Sequence, residues 1–134
     1  MDNISELKLS AELQELYLQN KDWMSQVLFL ADESRFFQKL FGQRLFLIGK
    51  NHTAKQIDLI SVSLANLEKR DHQLKHLVDQ HKHLLEKIFK GENQSIGLEL
   101  IEQHEAIKTE LNRLLHADRL LRTELFSMVE GTKE

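Results

Sequence analysis

Seven histidines are present in the chain, and four of them fall in one short run, DHQLKHLVDQHKH, from Asp71 to His83. His72 and His76 stand four apart, the spacing at which two imidazoles on one helix face can share a metal ion. Asp79 and His83 extend that face: at 100° per residue the four side chains cluster within about 60°. Gln73 occupies the place where a zinc peptidase carries its glutamate, and one exposed helix face cannot close a tetrahedral shell. The run therefore reads as the wet side of a helix, with Lys69, Glu86 and Lys87 beside it. His72 and His76 could at most take up zinc or nickel adventitiously.

A second set of polar residues lies where a helix would be apolar. Asn20, Ser34, Asp71, His81, His104 and Asp118 each interrupt an otherwise hydrophobic heptad seam, His104 toward its flank. With turns near residues 51 and 92, residue i of one helix faces about 102 − i or 185 − i of the next. That register predicts one layer of Asn20, His81 and His104 beside Trp23, and a second of Ser34, Asp71 and Asp118, with Arg35 and Gln38 as partners. Layers of this kind fix helix register at some cost in stability. A metal or small ligand held by His81 and His104 is the alternative, since bundle cores host such sites. The Glu-x-x-His pairs of di-iron bundles are missing, and so is any nucleophile–base pair or phosphate loop. No catalytic residue and no cofactor are expected.

The elements that must carry these residues are helices. There is no proline, and glycine occurs only at 42, 49, 91, 97 and 131. Few breaks mean long helices. Gly49 and Gly91 read as C′ glycines, Thr53 with Gln56 as a capping box, and Ser95 as an N-cap. The expected helices are 5–48, 54–90 and 96–129, each on the order of 50–65 Å long, with a frayed tail at 130–134. Each shows 3-4 apolar spacing, as in Ile57, Ile60, Leu64, Leu67, Leu74, Val78, Leu85 and Ile88, with Leu77 and Leu84 broadening the stripe. Short connections make neighbours antiparallel, so the fold class is all-α: one domain over 1–134, an up-down-up three-helix bundle with long coiled-coil-like helices. A break of helix 1 at Asn20-Lys21-Asp22 would give a four-helix variant.

Composition narrows the function. The formal charge of −3 gives no footprint for nucleic acid and no polybasic membrane anchor. The absence of cysteine removes disulfides, thiolate chemistry and Cys-zinc sites. No apolar run reaches membrane-span length, and the N-terminus is unlike a signal peptide. The cytoplasm is the expected location. On helix 1, Phe29, Phe36, Leu40 and Leu47 form a second apolar stripe off the seam, which points to a homodimer or a helical protein partner. The expected function is non-enzymatic and based on protein–protein contact.

Two resemblances bear on this. His72-Gln-Leu-Lys75-His76 resembles the HxLKG core of histidine phosphotransfer domains, over four positions, with His76 where that family has glycine; this would imply a histidine phosphotransfer-like domain. Trp23, Val27-Leu28-Phe29, Asp32-Glu33 and Phe36-Phe37 resemble a W-x3-L-x-F-x2-[DE]E-x2-F pattern of small uncharacterised bacterial helical-bundle proteins. That family often has a histidine where this chain has Asn20. The resemblance implies a helical bundle and no activity.

Overall fold

The structure, a computed structural model, describes residues 3–91 and 97–131, with side chains from Ala11 onward. Three helices make it up: α1 (Asn3–Asn51), α2 (Ala54–Phe89) and α3 (Leu98–Glu130). Each packs against the other two, which makes the fold an all-α three-helix bundle. Pairs along the helices give the directions. Asn20 and Gln38 on α1 reach Val78 and Glu68 on α2, so α2 runs back along α1. Arg70 and His81 on α2 reach Glu110 and Gln103 on α3, so α3 runs up again.

The seams behave as the spacing requires. Val27, Leu30 and Phe37 of α1 pack with Leu64, Leu74 and Val78 of α2 and with Ile107, Leu114 and Leu125 of α3 in the main core. A smaller cluster of Leu13, Leu85, Ile88 and Leu100 closes one end. Burial of such side chains, at ~1.5–3 kcal/mol each, is what holds helices this long side by side. Leu84 joins that smaller cluster. Leu77, one heptad earlier, does not broaden the stripe; it is 41% exposed.

Helix α1 runs unbroken through Asn20-Lys21-Asp22, as the three-helix reading expects, and the four-helix variant does not form. Asn20 turns inward and donates Nδ2–H to Val78 O at 3.0 Å, while Lys21 and Asp22 face water; the polar triplet simply straddles the edge of the helix. One boundary does differ: Gly49 is not a C′ glycine. It lies inside α1, which continues to Asn51. Thr53 caps the start of α2: its side chain accepts from Gln56 N–H while the Gln56 side chain accepts from Thr53 N–H, the predicted capping box. Gly91 does terminate α2, with φ +76°; its N–H reaches Ile88 O and that of Lys90 reaches Glu86 O. Ser95, read as an N-cap, lies outside the described residues, and Gly97 occupies the N-cap position of α3. Helix α3 continues through Glu130 to a cap at Gly131, and the rest of the tail read as frayed also lies outside the described residues. No described helix is long and apolar enough to cross a membrane.

Candidate functional site

His72, His76, Asp79 and His83 all lie on the exposed side of α2. His76 Nε2 has Gln80 Nε2 3.2 Å away. The geometry is that of a solvated face, and among the described residues no group of three or more His, Cys, Asp or Glu is placed to hold a metal ion.

The inner polar residues lie as the register requires. His81 is fully buried, and its ring centroid is 6.0 Å from that of the half-buried His104 on α3. Trp23 of α1 closes the layer, 6.1 Å from His81 and 4.7 Å from His104. Asn20 stands beside them, anchored on the backbone of α2. A residue not foreseen from the sequence, Gln103, orients the layer: His81 donates Nδ1–H to its Oε1 at 3.1 Å. An amide oxygen only accepts, so this bond fixes the His81 tautomer and leaves Nε2 with its lone pair. That Nε2 and His104 Nδ1 are buried with no partner. Burial pushes the His81 ring below its usual value, against the Gln103 bond and helped by His104. Burial does the same to His104, with Glu105 opposing and Lys108 adding. Burial thus favours the neutral form of both rings, the form that can bind a metal or accept a hydrogen bond.

The second layer also forms. Ser34 of α1, Asp71 of α2 and Asp118 of α3 are each at most 3% exposed. Its partners are not those expected. Arg35 is turned to solvent and pairs with Asp32, and Gln38 donates to Glu68 at 2.6 Å; both sit on the flank of α1, whose side chains point away from the axis. The cation that does reach the layer is Arg122, one turn along α3. It lies 3.5 Å from Asp118 Oδ2 and pairs with Glu33 of α1. The i, i+4 relation to Asp118 is visible in the sequence; the Glu33 half of the clamp depends on how α1 and α3 pack. Burial, with Asp118 and Glu68 adding and Arg70 opposing, pushes the Asp71 carboxyl up to about 7. Burial takes Asp118 up to about 6. A carboxyl in such a setting keeps its proton far longer than one in water.

The outer stripe of α1 is only partly free. Phe29 and Phe36 are 52% and 51% exposed. Leu40 packs against the main core, and Leu47 is half-buried, since both sit beside the seam rather than opposite it. Nor is Phe36 isolated: its ring meets Phe126 of α3 edge-on at 6.4 Å. The apolar face therefore runs from Phe29 through Phe36 onto Phe126, across two helices. No family model, no curated protein and no solved structure matches the chain.

Proposed function

We propose that this chain is a non-enzymatic helical-bundle protein that acts through self-association, as a homodimer formed on the Phe29–Phe36 face of α1. The observation that supports this reading is the pair of phenylalanines one heptad apart, each about half exposed. Covering large apolar side chains contributes ~1.5–3 kcal/mol each when burial is complete, and contiguous exposed apolar faces usually mark interfaces. A C2 pairing would bury the same face on both copies, with Phe126 at its margin. The formal charge of −3 offers no attraction for nucleic acid. Cytoplasmic residence belongs to the same proposal, since a cysteine-free chain gains nothing from an oxidising compartment.

Multi-angle light scattering tests it. Wild type is expected at twice the 15.7 kDa chain mass, and the Phe29→Glu, Phe36→Glu double variant at the monomer mass. A monomeric wild type, or a double variant that associates as before, overturns the proposal.

A second reading, a metal- or ligand-binding bundle built on His81 and His104, draws on their two unpartnered nitrogens. It ranks lower because two ligands leave most of a metal's shell to be supplied from elsewhere. Zinc bound one-to-one by wild type and lost in His81→Leu would favour it.

A further inference from the structure

Halfway along the bundle, the fold leaves four polar atoms of one layer unsatisfied. Ser34 Oγ, both carboxylate oxygens of Asp71 and Oδ1 of Asp118 are buried without a hydrogen-bond partner. The neighbouring guanidinium groups are committed elsewhere. Arg70 pairs with Glu110 at 2.7 Å, and Arg122 divides itself between Glu33 and the other oxygen of Asp118. A groove of about 230 Å³ between α1 and α2 runs down to Ser34 and Asp71. Val27 and Ala31 give it apolar sides, and the exposed side chains of Arg35, Glu68, His72 and Lys75 make its rim.

We propose that this groove binds the ammonium group of a small aliphatic amine, seated on Ser34 and Asp71. Three features match. An ammonium carries three N–H donors and no acceptor, and Ser34 and Asp71, at the inner end of the groove, hold three unpartnered acceptors in Ser34 Oγ and the two oxygens of Asp71. It carries one positive charge, and a buried carboxylate with no cation hydrogen-bonded to it is costly until one arrives. Its alkyl stem is apolar, as are Val27 and Ala31. The volume suits a short chain; larger ligands occupy ~300–1,000 Å³. A calcium ion is a poorer match, because it takes six to eight oxygens. Ser34 Oγ and the Asp71 oxygens are themselves buried, so entry requires side chains along the groove to shift; exposed ones such as Lys75 do so within picoseconds to nanoseconds.

The amine competes with a proton. In the empty site Asp71 is held up to about 7, by burial first and then by Asp118. The other charged or titratable groups around it are Glu33 and Arg35 on α1, Glu68, Arg70, His72 and Lys75 on α2, and Arg122 on α3. An ammonium favours the carboxylate, so its affinity falls as pH drops through that value.

Isothermal titration calorimetry with methylammonium, butylammonium and putrescine tests the site, with sodium, potassium and magnesium chlorides as controls. Wild type at about pH 8 is expected to bind at least one amine saturably and one-to-one. Binding should weaken about tenfold or more at about pH 5.5, and about tenfold or more in Asp71→Asn. Ser34→Ala removes one acceptor and no charge; it should weaken binding by about threefold and serves if Asp71→Asn does not fold by circular dichroism. Absence of saturable amine binding at the higher pH overturns the proposal. So does undiminished binding in either folded variant, equal affinity at both pH values, or equally tight binding of an inorganic cation. The readout is separate from light scattering, so this result and the test of self-association stand or fall apart.

Discussion

His81 on α2 and the half-buried His104 on α3 come ring to ring, 6.0 Å between centroids, yet only His81 is hydrogen-bonded to a neighbouring helix. His81 holds Gln103 through Nδ1 and leaves Nε2 unsatisfied. A buried nitrogen without a partner costs about 1–3 kcal/mol. His81→Leu should therefore raise the unfolding free energy by about 1 kcal/mol, since Gln103 is half-buried and its amide can turn to water. His83→Leu, on the exposed side of the same helix, should stay within about 0.5 kcal/mol of wild type. Urea denaturation of the two variants checks this; two silent substitutions would mean that the layer carries no energetic weight.

The two layers should oppose each other in pH. Asp71 and Asp118 have raised folded values of about 7 and about 6, against ~3.9 in an unfolded chain. The folded state thus keeps protons that the unfolded chain releases, and the carboxyls lose stability as pH rises from about 4 to about 7. His81 and His104 have lowered folded values. Their contribution is intact above the unfolded ~6.5 and is lost as pH falls below it. Over the shared range the slopes offset. The Asp71→Asn, Asp118→Asn variant should gain stability relative to wild type as pH rises from about 4 to 7. The His81→Leu, His104→Leu variant should gain relative to wild type as pH falls below about 6.5. Urea midpoints across that range decide it, and parallel curves for wild type and both variants would contradict the assignment.

Glycine supplies a test of the turns. Gly91 sits at φ +76°, where an L side chain is strained whatever the space around it. Gly91→Ala should cost about 1 kcal/mol. Gly42 is helical, exposed and has nothing within reach of an added Cβ. Gly42→Ala should stabilise by about 0.5–1 kcal/mol, by restricting the unfolded chain. Opposite shifts in melting temperature are the expected result.

The amino-acid sequence by itself determined three helices, their seams and both polar layers. A 3-4 apolar repeat gathers its apolar side chains on one stripe to be buried, and short connections force antiparallel neighbours, so residue numbers bring His81 to the level of His104 and Ser34 to that of Asp71 and Asp118. The tertiary structure decided where polar flanks go. Gln103 against His81, Arg122 between Glu33 and Asp118, and Phe126 against Phe36 depend on helix rotation and on the reach of long side chains. A heptad pattern leaves both open by tens of degrees. The same freedom let α1 run on beyond Gly49 to Asn51. There packing outweighs the weak local preference of glycine to end a helix.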